Sequence, residues 1–174
     1  VMNLALFLEQ TLNGFQQGMT LFLMASGLTL TFGIMGLINL AHGSLYMIGA
    51  YVGATVMMVS GSFVLGVAAG IVAAGLAGAL LEVAVLRRLY ARDHLDQVLA
   101  TFGVILFTNE LVKIVWGPQA LFSAPPEWLS RPVDLLGTPY PAYRLAIIAV
   151  GLLVALFLRH LILNTRLGMR IRAG

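Results

Sequence analysis

No cysteine occurs in this chain, which rules out disulfides, thiolate metal sites and thiol nucleophiles together. Charge is nearly as scarce: Asp, Glu, Lys and Arg make up 10% of the residues, against about a quarter in an average soluble domain. None of these charges falls between Glu9 and Glu82, and no proline occurs before Pro118. Apolar residues fill the space, at 60% of the chain with a mean hydropathy of +0.95. So little polar surface cannot cover a water-soluble globule, and the class expected is an α-helical membrane protein. A β-barrel is not expected, because alternation of apolar and polar residues is missing.

The net charge of +3 and a pI near 9.7 do not point to nucleic acid. The basic residues stand at the ends of apolar runs, where membrane topology places them. Residues 1–10 carry no basic n-region, and no small-residue cleavage site follows a short apolar stretch, so a cleavable signal peptide is not expected. The three histidines, His42, His94 and His160, have no ligand-type spacing, and no metal site is expected.

Five apolar runs are long enough to cross a hydrocarbon core of roughly 30 Å. They cover Leu12 to Ile34, Leu37 to Val59, Phe63 to Leu86, Val98 to Trp116 and Leu145 to Leu163. The expected fold is therefore an all-α, polytopic bundle of about five spans, forming one transmembrane domain over residues 1–174. Arg87, Arg88 and Arg92 follow the third run, while Arg159, Arg166, Arg170 and Arg172 close the fifth. The positive-inside rule makes residues 87–96 and 164–174 cytoplasmic, and counting back puts the amino terminus outside.

Residues 117–143 hold all six prolines and only Arg131 for positive charge, which marks an external loop. Leu121, Phe122, Trp128, Leu135 and Leu136 give it apolar anchors, so a structured cap is expected. Trp116, Trp128, Tyr140 and Tyr143 suit an aromatic belt at the outer interface. Small residues recur at four-residue spacing at Gly14 and Gly18, Gly49 and Gly53, Gly66 and Gly70, and Ala74 and Gly78. Such faces let helix backbones approach closely in lipid, either within one bundle or at a dimer seam.

One polar break interrupts the apolar sequence, near residues 36–44. Asn39, His42, Gly43 and Ser44 stand between two potential spans, and Gly33, Gly36 and Gly43 weaken helix on both sides. Irregular backbone at membrane depth persists only where protein or a water-filled cavity satisfies its polar groups. Two readings follow: an inter-helix turn with Asn39 capping the next helix, or a discontinuous helix whose polar groups line a permeation route. Glu110 and Lys113 lie one helical turn apart and are placed to pair near the outer end of the fourth run, and Glu82 falls near the inner boundary. Arg88, Arg92, Asp93, His94 and Asp96 make a short mixed-charge loop.

The stretch GLTLTFGIMGLINLAHGSLYMIGAY, Gly27 to Tyr51, resembles the signature of permease subunits of branched-chain amino acid ABC importers, the Liv type. Asn39, Ala41, His42, Gly43, Gly49, Ala50 and Tyr51 match that pattern. LATFGVILFTNELVKIVWG, from Leu99, is similar to the family's Thr-x-Gly helix through Thr101 and Gly103. NTRLGMRIRAG, from Asn164, resembles the approach to a cytoplasmic coupling segment through Thr165, Arg166, Gly168, Arg170, Arg172 and Ala173. Family members run to roughly eight helices, so residues 1–174 are expected to be the amino-terminal part of a longer fold.

The resemblance implies a non-enzymatic half of an importer in the bacterial inner membrane. Its partners would be a second permease subunit, cytoplasmic ATPase subunits, an external solute-binding protein and membrane lipid. No G-x-x-x-x-G-K-[ST] loop is present, so this chain has no cofactor of its own and ATP belongs to a partner. Asn39, His42, Gly43 and Ser44 are the candidate transport-pathway residues, and Arg166, Arg170 and Arg172 the candidate ATPase-coupling residues. Anionic lipid is a second source of attraction for that basic tail. A urea or short-amide permease of the same superfamily and a non-transporting membrane scaffold remain as alternatives. An intramembrane enzyme has less behind it, since the spans offer no paired carboxylates and no workable serine and histidine.

Overall fold

The computed structural model describes residues 4–119, 121, 123–135, 138–165 and 168–169. The chain order is α1 (Leu4–Met35), α2 (His42–Ser60), α3 (Phe63–Ala84), a 3₁₀ turn (Leu86–Arg88), α4 (His94–Trp116), α5 (Glu127–Ser130), β1 (Pro132–Leu135), β2 (Thr138–Pro141) and α6 (Ala142–Asn164). Among the described residues, α2, α3 with its 3₁₀ extension, α4 and α6 are each long and apolar enough to cross a membrane. The remaining expected span lies within α1, a 32-residue helix whose first half also carries Glu9, Gln10, Asn13, Gln16 and Gln17.

The chain divides into two compact units, one formed by residues 1–34 with 125–174 and the other by residues 35–124. In the second, α2 and α3 make an antiparallel hairpin around Gly61, which ends α2 in the left-handed conformation at φ 67° and donates its N–H to Met57 O at 2.9 Å. Ser62 caps α3 by accepting from Leu65 N at 3.4 Å. The two helices meet backbone to backbone. A methyl group added to Gly66 would lie 2.8 Å from Gly53 O, and one on Gly70 would lie 2.8 Å from Gly49 O. The glycine spacing thus serves this hairpin, whereas a methyl group on Gly14 or Gly18 would meet nothing within 4 Å.

Helix α4 packs on α2. Near its carboxyl end Trp116 Nε1 donates to Thr55 Oγ1 at 2.7 Å, and the Trp116 ring lies 5.4 Å from that of Tyr51. At the other end of the unit Leu37, Ala41, Leu81 and Leu86 form a buried cluster, with Leu45, Val85, Leu89, Val104 and Ile105 packed against it. Elsewhere the helices present a large apolar surface, including Val64, Ile71, Leu80, Phe107 and Ile114. Such exposure is incompatible with water and ordinary against lipid or neighbouring helices.

In the first unit, described residues of the proline-rich segment form regular structure: α5 is one turn, and β1 and β2 pair antiparallel from Pro132 opposite Pro141 to Leu135 opposite Thr138. Tyr140, 1% exposed, donates its hydroxyl to Asn13 Oδ1 at 3.1 Å. Arg144 Nη1 donates to the same oxygen, and the guanidinium lies over the rings of Tyr140 and Tyr143 at 5.8 and 5.7 Å. Gly151 on α6 accommodates Met19 of α1, whose Sδ would be 2.8 Å from an added methyl group. Between α1 and α6 lie two apolar grooves of about 440 and 420 Å³, neither of them lined by Asn39, His42, Gly43 or Ser44.

Candidate functional site: the polar break

The break is narrower than its sequence signal: helix is absent only from Gly36 to Ala41, and His42, Gly43 and Ser44 already belong to the first turn of α2. Gly36 makes the exit from α1 at φ 62°, a conformation costing a residue with a Cβ roughly 1–2 kcal/mol. Leu37 and Ala41 then turn inward to 1% and 0% exposure, anchoring the segment in the apolar cluster below α3. Helix α2 runs 19 residues beyond the break, about 28 Å at 1.5 Å per residue. The break therefore lies at one end of a full-length span. That end is the one that carries the 3₁₀ turn, with Arg87 and Arg88 exposed, and exposed Arg92.

Asn39 is 3% exposed. Its Oδ1 accepts from Ala41 N at 3.0 Å, an Asx turn, and its own carbonyl accepts from His42 N at 3.4 Å. The helix cap is Ala41, which has no side-chain cap bond, so Asn39 shapes the approach to α2 without capping it directly. Among the described residues the Asn39 Nδ2 group finds no acceptor, and the Ser44 hydroxyl, on a residue 6% exposed, finds no partner. Buried polar groups in native proteins are almost always paired with protein or ordered water, which makes these two groups the ones to follow at the bend. His42 is half-buried and Gly43 exposed on the same turn.

A residue that sequence reading missed completes the arrangement. Gln97, in the first turns of α4, is 4% exposed although Leu95 and Asp96 beside it are exposed. Its Nε2 donates to Leu89 O at 3.3 Å and to Arg92 O at 3.2 Å. Its Oε1 accepts from Ile38 N at 3.4 Å and lies 3.4 Å from His94 Nδ1. Thr101, one turn further on and 0% exposed, turns its hydroxyl back to Gln97 O at 2.7 Å. The only sequence signal for Gln97 is an uncharged polar residue next to the start of an apolar run, a pattern common to many helix ends.

Other polar residues sit apart from the break. Glu110 and Lys113 pair at 2.7 Å with both side chains more than half exposed, and such a pair contributes on the order of 0–1 kcal/mol. Tyr90 donates to Glu82 Oε1 at 2.5 Å. Loss of water around the hydroxyl, followed by this hydrogen bond, pushes the Tyr90 pKa up to about 12. No group of three potential metal-ligating His, Cys, Asp or Glu residues exists among the described residues. Arg166, Arg170 and Arg172 lie outside the described residues.

Residues 10–174 match the family model described as branched-chain amino acid transport system, permease component. The chain belongs to that family. It is 30% identical over 183 residues to the high-affinity branched-chain amino acid transport system permease protein LivH of Escherichia coli K12, covering 96% of this chain and 58% of the relative. LivH of Salmonella typhimurium LT2 is similar at 29% identity over the same span. BraD of Pseudomonas aeruginosa, a permease protein of the same description, is 31% identical over 117 residues, 62% of this chain and 38% of its own. The chain thus spans 58% of the length of the LivH relatives it matches. No solved structure matches.

Proposed function

We propose that this chain forms part of the translocation pathway of an ABC importer for branched-chain amino acids or a similar small polar solute. The observation that carries the reading is the family match through residues 10–174. Asn39, His42, Gly43 and Ser44 shape the inner end of the route: Asn39 and Ser44 offer buried hydrogen-bonding groups, and the α2 amino terminus lies beside them. The break lies at the arginine-bearing end of its unit, which the positive-inside rule makes cytoplasmic. In this orientation the amino terminus and the proline-rich segment face outward.

The partners in this reading are a second permease subunit, cytoplasmic ATPases that bind the ATP, and an external binding protein that selects the solute. Arg166, Arg170 and Arg172 are the residues that contact the ATPases. The membrane is the bacterial inner membrane. This chain contributes a gated path and no covalent chemistry.

Uptake by the full-length permease, reconstituted with its ATPases and binding protein, tests the proposal. Asn39→Leu and His42→Leu are each expected to lower the rate of labelled leucine uptake by about tenfold, equivalent to roughly 1.4 kcal/mol. Normal uptake by both variants would return the break to a purely structural turn. Transport of urea or short amides in place of leucine would select the related permease class.

A further inference from the structure

We infer that Gln97 is a positioning residue that ties the polar break to the arginine-bearing loop, so that the two move as one piece during transport. The inference rests on the importer reading above and adds to it the place where a push from a cytoplasmic partner reaches the route. One side chain of α4 bonds two other segments: Ile38 in the break, and Leu89 and Arg92 in the loop. The bond to Ile38 crosses 59 residues of sequence.

Only an amide suits this position, because it must donate to two carbonyls and accept from a backbone N–H at the same time. An ionised carboxylate donates nothing, and leucine removes the Gln97 bonds to Ile38 N and Arg92 O and leaves Leu89 O with only its bond from Arg92 N. Packing reinforces the tie, since Leu37 and Ala41 of the break are buried with Leu86 of the loop. The outer side of that loop meanwhile presents Arg87, Arg88 and Arg92 as an exposed basic surface, available to an acidic partner. A force on those arginines is transmitted through Leu89, Gln97 and Ile38 to Asn39.

The test uses the full-length permease complex in vesicles, with uptake and ATP hydrolysis measured together. Gln97→Leu is expected to keep hydrolysis within about threefold of wild type while solute moved per ATP falls at least tenfold. A residue serving stability alone would lower assembled complex, hydrolysis and uptake in proportion, and that result would overturn the inference. Wild-type coupling in Gln97→Leu would overturn it too, while leaving the importer reading intact; absence of uptake in the wild-type complex would defeat the importer reading itself.

A second measurement keeps the wild-type Gln97. Spin labels at Leu40→Cys and Ala91→Cys, both exposed positions, report the separation of break and loop. That distance is expected to stay within ~2 Å across nucleotide states of the complex, the scale of small packed-helix shifts. A change of ~5 Å, the size of a one-turn slip, during active uptake would show that the two segments move independently.

Discussion

Gly66→Ala adds one methyl group at the tightest point of the α2–α3 seam. The new carbon would sit 2.8 Å from Gly53 O and 2.8 Å from Met57 Cβ. The first obstacle is backbone and the second is the root of a side chain, so neither can swing aside and the helices must separate. Overpacking of this kind costs about 1–3 kcal/mol, while exchanging glycine for alanine in a helix returns up to about 1 kcal/mol.

Gly75→Ala supplies the control, because it lies on the same helix, is exposed and meets nothing within 4 Å. The propensity gain is common to both variants, so their difference isolates the seam and should be about 1–3 kcal/mol. Reversible unfolding of the chain in mixed detergent micelles, followed by far-ultraviolet circular dichroism, measures it. A difference below about 0.5 kcal/mol, the ordinary scatter for surface substitutions, would refute the close approach of these backbones.

Three further outcomes follow from the same reasoning. Asn13→Leu removes the oxygen shared by Tyr140 and Arg144 and should cost about 2–4 kcal/mol in the same unfolding assay, whereas Asn13→Asp keeps an acceptor and adds a counter-charge, so it should be at least as stable as wild type. Tyr90 is an acid whose neutral form the fold favours, so its contribution to stability is complete below pH 10 and disappears as pH rises through about 12. Absorbance titration against Tyr90→Phe should show that midpoint, and Glu82→Gln should lower it only in part, because loss of water is the larger cause. Gly36→Ala meets no atom within 4 Å yet must hold φ at 62°, which should cost roughly 1–2 kcal/mol, and Gly36→Asn should cost less.

Long-range apolar patterning made the spans legible, and the scarcity of polar residues made the break stand out. The ends of the elements were less legible. Helix α4 starts at His94 although its apolar run starts at Val98, and α1 starts at Leu4 although its run starts at Leu12, because residues such as Glu9, Gln10 and Gln97 are good helix formers without being apolar. Four-residue glycine spacing marked the faces that meet at the α2–α3 seam but equally marked Gly14 and Gly18, where an added methyl group meets nothing within 4 Å; spacing gives a helix face and is silent on what that face meets.

The tertiary bonds were hidden for a different reason. Gln97 and Ile38 are 59 residues apart, and Tyr140 and Asn13 are 127 apart, so no local pattern could pair them. Asn39 was visible as a polar residue in an apolar setting. Its division of labour, with one oxygen spent on Ala41 and an amide group left over, depends on a backbone bend that composition does not encode.

The proposed route requires the break to lie at the cytoplasmic face. Because the chain has no cysteine, single substitutions at Leu40 and Ser60, near opposite ends of α2 and both exposed, give clean reporters in intact cells and inverted vesicles. A membrane-impermeant maleimide is predicted to label the Leu40→Cys variant only from the cytoplasmic side and the Ser60→Cys variant only from outside. Labelling of Leu40→Cys from the outer face would contradict the orientation and, with it, the assignment of the break to the inner end of the route.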